Sequence, residues 1–239
     1  MKFTIIGSSH GYPEPNRKCS CLMLEVGRTI YFIDMGTSAV DALHSRGRSM
    51  EEVKAVFITH AHGDHTEGLF QFVRLLLSPF KHAKPEIFLP RPELKEVFQA
   101  WLKVVRPGYD GQIRYRDYAP GLIYDDGVLR VTAFPTQHCE KSHAFLLEAE
   151  DKRVLITGDL RRPGVDFPAV SGPLDLLVCE SAHFPATEYL PLFDSVQPRR
   201  VCVTHYYTPF IPSVLQLLDT LNAQGIPAVM ATDNLEFRL

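Results

Sequence analysis

Seven residues, Thr59-His60-Ala61-His62-Gly63-Asp64-His65, carry four potential metal ligands within six positions. They follow the apolar run Ala55-Val56-Phe57-Ile58, which reads as a buried strand. A loop leaving a strand end lets alternate side chains diverge, so His60 and His62 can share one ion while Asp64 and His65 reach another. Imidazole nitrogen with carboxylate oxygen suits zinc, iron or manganese, which accept both donors and keep positions open for water. A solvated polar turn accounts poorly for three histidines and an aspartate concentrated at one strand end.

A cage made of that loop alone is incomplete, and single ligand-type residues recur at three other predicted strand ends. His138 follows the β-prone segment 131–137, Asp159 ends 154–158, and His205 ends 201–204. The recurrence is far more specific than any one match.

These residues resemble the metallo-β-lactamase-fold hydrolases, and the resemblance spans essentially the whole chain. It implies that His60, His62 and His138 hold one metal, that Asp64, His65 and His205 hold the other, and that Asp159 bridges the two. The implied cofactor is two divalent ions, zinc first, with manganese or iron fitting the same donors. The β-lactamases of this fold place a cysteine where Asp159 stands and usually replace the position of His65. Both residues here look instead like those of the dinuclear hydrolases.

The elements that must position these ligands alternate along the chain. Strands are expected at 3–6, as a hairpin at 22–26 and 29–33, and at 86–89, 112–118 and 174–179. A second hairpin spans 142–149 and 152–157, and a final hairpin-like pair spans 228–231 and 235–238. Helices are expected at 38–45, 50–54, 67–77, from 91 to about 105, and at 211–223. In the helix beginning at 91, Val97, Phe98, Trp101, Val104 and Val105 have core spacing. Strands and helices in this order, with ligands at strand ends, fit an α/β four-layer αββα sandwich.

The 239 residues, 45% of them hydrophobic, suffice for one domain burying roughly 70–75% of its unfolded-chain surface. Cutting the chain between His60 and His205 would divide the ligand set, so residues 1–239 read as a single hydrolase domain. Ten histidines are many for this length, and five belong to the proposed cage. A net charge of −3 gives no electrostatic footprint for long nucleic acids. The five cysteines include no Cys-x-x-Cys pair and do not suggest a disulfide framework. Cys19-Ser20-Cys21 reads as one thiol inward and one outward on a strand, although some phosphodiesterases resembling this chain carry a structural zinc near such cysteines. No apolar run reaches membrane or signal-peptide length, so a cytoplasmic protein without a membrane partner is expected. The sequence leaves a homodimer open.

Further candidates lie at the mouth and behind the ligands. The loop after the first strand, from Gly7 to Arg17, resembles the opening of ribonuclease Z and its phosphodiesterase relatives, which puts His10 and Arg17 near substrate. Asp34, in an Asp-x-Gly turn, is expected to accept hydrogen bonds from the metal loop and orient a ligand histidine. Glu180-Ser181-Ala182-His183 looks like the motif after the bridging aspartate in those nucleases. The resemblance makes His183 the proton donor to the leaving oxygen, with Glu180 behind it. Arg161 offers a guanidinium for phosphate, and Tyr206 an aromatic face for a ring. Only twenty residues lie between His138 and Asp159, where ribonuclease Z enzymes usually insert a tRNA-clamping arm. The short interval is similar to that of small cyclic-phosphodiester hydrolases of this fold.

The expected chemistry follows. Two ions about 3.5–4 Å apart lower the pKa of a shared water enough to supply hydroxide for in-line attack on phosphorus. Asp64 guides that water and His183 protonates the departing alkoxide. The expected substrate is a small or cyclic phosphodiester. The same hydroxide can attack a thioester or lactone carbonyl, and a non-enzymatic metal-binding domain is a third reading.

Overall fold

Apolar runs punctuated by glycine and by Asx-rich turns form strands in two groups, each beginning as antiparallel hairpins and continuing as parallel strands joined over helices. The computed structural model describes residues 1–108 and 113–239. In chain order, the first group is β1 (Lys2–Gly7), β2 (Cys21–Val26), β3 (Thr29–Met35), α1 (Ala39–His44), β4 (Val53–Phe57), α2 (Gly63–Leu77), β5 (Glu86–Leu89), α3 (Pro92–Val105) and β6 (Arg114–Asp117). The second is β7 (Gly121–Asp125), β8 (Arg130–Pro135), β9 (His143–Ala149), β10 (Lys152–Ile156), α4 (Pro163–Asp166), β11 (Leu176–Ser181), α5 (Phe193–Val196), β12 (Val201–Tyr206), α6 (Ile211–Ala223), β13 (Ala228–Met230) and β14 (Leu235–Arg238).

One sheet has the order β14-β1-β2-β3-β4-β5-β6, the other β13-β12-β11-β10-β9-β8-β7. Strands β3 to β6 are mutually parallel, as are β10 to β13. Parallel neighbours need a crossover, and helices supply it while covering the outer faces. Three apolar layers result. Phe3, Tyr31 and Phe57 of the first sheet meet Val131, Phe145 and Val178 of the second. Phe32, Val56 and Ile58 pack under Leu69, Phe72, Phe98 and Leu102, and Leu155, Leu177 and Val203 under Val214, Leu217 and Leu221. The αββα sandwich is therefore present.

Several expectations change. Helix α2 begins at Gly63 rather than 67, so Asp64 and His65 occupy its first turn. The helix expected at 50–54 is a single 3₁₀ turn, Met50–Glu52, capped by Ser49 in a capping box, and Val53 already belongs to β4. The last two strands are not a hairpin: β13 pairs with β12 in one sheet and β14 with β1 in the other. Helix α3 buries Phe98 and Leu102 and packs Trp101 edge-on against Phe70, but leaves Val97, Val104 and Val105 exposed. Cys19 and Cys21 are both buried, since residues two apart on an extended chain share a side. Gln112, the first residue of the strand expected at 112–118, lies outside the described residues. No helix among the described residues is long and apolar enough to cross a membrane.

Candidate metal centre

The C-terminal ends of β3, β4, β10, β11 and β12 meet along one edge of the sandwich, where open α/β sheets place their ligands. Two site residues arrive there by the same device. In β3, Ile33 pairs with Leu22 and Met35 with Cys21, leaving Asp34 as the extra residue of a bulge, at φ 57°. In β12, Thr204 pairs with Glu180 and Tyr206 with Ser181, leaving His205 unpaired, at φ 46°. A bulge re-aims its extra side chain, and a left-handed backbone is uncommon for any residue but glycine. One such residue comes from each sheet.

Around these, the ring nitrogens and carboxylates converge in two groups. In the first, His62 Nδ1 lies 3.1 Å from both His60 Nε2 and His138 Nε2, and Asp159 Oδ2 lies 3.6 Å from each of those two. In the second, His65 Nε2 lies 3.3 Å from Asp64 Oδ2 and 3.5 Å from Asp159 Oδ1, while His205 Nε2 lies 3.7 Å from Asp64 Oδ2 and 3.3 Å from Asp159 Oδ2. Donors bonded at about 2.0–2.2 Å to one tetrahedral ion stand roughly 3.3–3.6 Å apart, and the observed separations of 3.1–3.7 Å are close to that spacing. His65 Nε2 and Asp159 Oδ1 are buried without a hydrogen-bond partner, which is the state of a ligand atom waiting for an ion rather than of a satisfied core group. The residues fit divalent metal.

Behind the ligands, Asp34 is saturated. Its Oδ1 accepts from the Thr59 N–H at 2.8 Å, and its Oδ2 lies 2.7 Å from His65 Nδ1. Thr59 Oγ1, in turn, sits 3.0 Å from His60 Nδ1. Burial, and then the neighbouring His65, push the His60 pKa well down; burial and His183 push His138 down to about 4. Both are thus neutral, the form that ligates. Burial opposes charge on His65, but Asp34 and then Asp159 outweigh it and hold its pKa well up.

Glu180, 1% exposed, accepts from the backbone N–H groups of Leu160 at 3.0 Å and Ala182 at 2.7 Å, locking the loops after β10 and β11 together. It also takes His183 Nδ1 at 2.9 Å, leaving Nε2 3.9 Å from Asp159 Oδ2. Burial works against charge on His183, yet the Glu180 bond raises its pKa to about 9. The imidazolium is therefore the ordinary form of the isolated protein.

A cleft of about 260 Å³ opens over the two groups, lined by His10, Tyr12, Asp64, His183 and Tyr207 among others. His10 reaches it with Nε2 held 3.1 Å from Glu14 Oε1 and its ring edge-on to Tyr12 and Tyr207. Arg17 does not. Its guanidinium is tied to Glu14 and to the Tyr206 carbonyl and lies 3.8 Å over the Tyr206 ring. Tyr206 is also inward, its hydroxyl donating to Ala231 O at 2.9 Å. Arg161 is exposed and outside the cleft lining. The aromatic walls are instead Tyr12, in the loop after β1, and Tyr207, which sequence reasoning missed because the His205 bulge shifts the alternation of β12 by one residue. Asp233 was missed too: it accepts from Ser8 N and Lys18 N at 3.0 and 2.9 Å and fixes the His10 loop. Its position in a short connection between two strands is the only signal the sequence offers.

With this geometry in view, residues 1–166 match the protein family described as anti-Pycsar protein Apyc1. A similar curated protein is ribonuclease Z of Exiguobacterium sp. (strain ATCC BAA-1283 / AT1b), 27% identical over 186 residues, covering 77% of this chain and 60% of that protein. The chain spans about half to three fifths of the length of such curated relatives. Human tRNase Z, short form, superposes with a TM-score of 0.77 at 19% identity, covering 100% of this chain and 99% of the other. The metallo-β-lactamase-fold protein YhfI of Bacillus subtilis does so at 0.77 and 17%, covering 99% and 98%. The αββα sandwich is the metallo-β-lactamase fold.

Proposed function

The chain belongs to the family described as anti-Pycsar protein Apyc1, and from that premise we propose that it is a dinuclear metal-dependent phosphodiesterase acting on a small or cyclic phosphodiester. The observation that carries this reading is the pair of ligand groups sharing Asp159, with His183 Nε2 3.9 Å from Asp159 Oδ2 beside them. His60, His62 and His138 would hold one ion, and Asp64, His65 and His205 the other, zinc in first place. When bound, such ions supply Lewis-acid activation of water and neutralise charge on the phosphoryl oxygens.

The chain's own residues do the rest. Asp34 and Thr59 fix the rings of His65 and His60, so their lone pairs point inward without reorganisation. Asp64, at the N-terminal turn of α2, can accept a hydrogen bond from the attacking water and orient it. Glu180 holds His183 as imidazolium, and His183 Nε2 gives its proton to the departing alkoxide. His10, Tyr12 and Tyr207 wall the cleft and exclude bulk solvent.

A small substrate is favoured by the size of the cleft and by the His138–Asp159 interval, where the tight β9–β10 hairpin turns through Glu150 and Asp151 at positive φ and no arm projects. The net charge of −3 agrees. Because ligands come from both sheets, residues 1–239 act as one hydrolase unit. Its five unpaired cysteines suit the reducing cytoplasm.

The test is hydrolysis of bis(p-nitrophenyl) phosphate beside a thioester and a lactone, with enzyme of known metal content and an Asp159→Ala control. Metal-dependent diesterase turnover that vanishes in the control is expected. Two bound metals with cleavage of only the thioester or lactone would overturn the reading in favour of an acyl hydrolase.

A further inference from the structure

One thiol stands inside the ligand set. Among the described residues, Cys139 Sγ is the one sulfur grouped with a ligand cluster: it and the ligand nitrogens of His60, His62 and His138 all lie within 4.8 Å of one another. The other four cysteines are buried. Cys139 directly follows a ligand and is only partly buried.

Its backbone is held in place from both directions. Cys139 N–H donates to Ser142 Oγ at 3.2 Å, and Ser142 Oγ donates to Cys139 O at 2.9 Å. Thr136 Oγ1 ties the same loop to Asp159 O at 2.9 Å. The sulfur itself makes a 3.8 Å contact to Glu140 O and interacts with the Ser142 side chain. Independently of the thiol, Asp159 Oδ2 lies 3.6 Å from both His60 Nε2 and His138 Nε2, while its buried, unpartnered Oδ1 faces His65 in the neighbouring group.

We propose that Cys139 is a fourth ligand to the cation held by His60, His62 and His138, engaged as thiolate by soft divalent ions. A His₃ set completed by Asp159 oxygen suits zinc, manganese or iron; completed by sulfur it suits cadmium, which prefers thiolate to oxygen more strongly than those ions do. The site thus has two alternative closures, and the thiol competes with Asp159 for the same ion. On coordination the S–H proton passes to solvent and the sulfur lone pair forms the bond to the metal.

The proposal rests on the two-ion reading above, and spectroscopy separates the two. The full chain, stripped by chelator, is titrated with cobalt(II) and with cadmium(II) as wild type and as Cys139→Ser. Expected is a near-ultraviolet thiolate-to-metal charge-transfer band in the wild type that is lost in Cys139→Ser, which keeps the visible d–d bands of cobalt on histidine and carboxylate. Iodoacetamide treatment of the metal-free wild type, which reaches Cys139 ahead of the buried thiols, is expected to give the same loss without a substitution. A wild type that binds cobalt with no charge-transfer band, or a band that persists in Cys139→Ser, overturns the thiol assignment alone. Absence of any cobalt binding overturns the two-ion reading as well.

Discussion

Asp34 Oδ2 lies 2.7 Å from His65 Nδ1, and this contact decides which nitrogen of that histidine faces the cluster. With Nδ1–H donated backward, Nε2 is the nitrogen that faces Asp64 and Asp159, and it would release its proton on binding a metal. Partners of this kind typically contribute 10–100-fold to metal affinity. Asp34→Ala is therefore expected to weaken binding at the Asp64–His65–His205 site by about that factor in a chelator-competition titration, and Asp34→Asn, which keeps one acceptor, by less. Equal affinity in all three proteins would sink the role.

For His183 the expected signature is kinetic. Removing a positioned general acid lowers turnover by about 10²–10⁴-fold, so His183→Ala should lose kcat by that order with metal content unchanged. Glu180→Gln should fall between the two, because the ring keeps a partner but loses the charge that favours the imidazolium. A substrate whose leaving group needs no proton, such as p-nitrophenolate, should blunt both losses.

The seat of α2 is made by main chain. A methyl built on Gly36 would stand 1.7 Å from Asp64 O and 2.4 Å from its carbonyl carbon, and one on Gly68 would stand 2.1 Å from Thr37 O. Neither neighbour is a side-chain tip that can swing away. Gly36→Ala should cost about 1–3 kcal/mol, as overpacking does, read as a lower midpoint in denaturant, and should displace Asp64 enough to weaken metal binding. A variant with wild-type midpoint and affinity would show that the two segments part freely.

Away from the centre, Asp126 ties the second sheet to the first: Oδ2 accepts from the hydroxyls of Tyr31 at 2.8 Å and Tyr124 at 2.9 Å. Burial works to raise its pKa, but the Leu129 N–H and these hydroxyls outweigh it and hold the carboxyl below its ordinary 3.8. A depressed folded-state pKa gives stability that is present above the unfolded pKa and is lost as pH falls through the folded one. Asp126→Asn should thus be less stable near neutrality, and the gap should close on acidification below about pH 4. Denaturant midpoints across that range are the measurement, and a gap that widens in acid would refute the sign.

The legible part of the molecule was the part written contiguously. His60 to His65 form a local motif, and His138, Asp159 and His205 each end an apolar run, so their grouping could be argued before any coordinates. The start of α2 was hidden because Gly63, Asp64 and His65 interrupt the apolar periodicity that marks a helix. The partners of β13 and β14 are non-local, and nothing in a pair of short strands says that they belong to different sheets. Tyr206 and Tyr207 exchanged roles because a bulge is invisible to counting by twos. Val97, Val104 and Val105 satisfy helical spacing, but α3 presents only Phe98 and Leu102 fully to the layer beneath.

The two ligand groups also have a mechanical meaning. His60, His62, Asp64 and His65 belong to the first sheet and its helix, and His138, Asp159 and His205 to the second. Ions held there would clasp the seam of the sandwich at its active edge, much as a crosslink would, while the apolar layer closes the rest. Scarcity of metal would then do more than silence chemistry: it would let the edge gape, expose the loops after β4 and β12 to proteases, and tie the lifetime of the polypeptide to the supply of its cofactor.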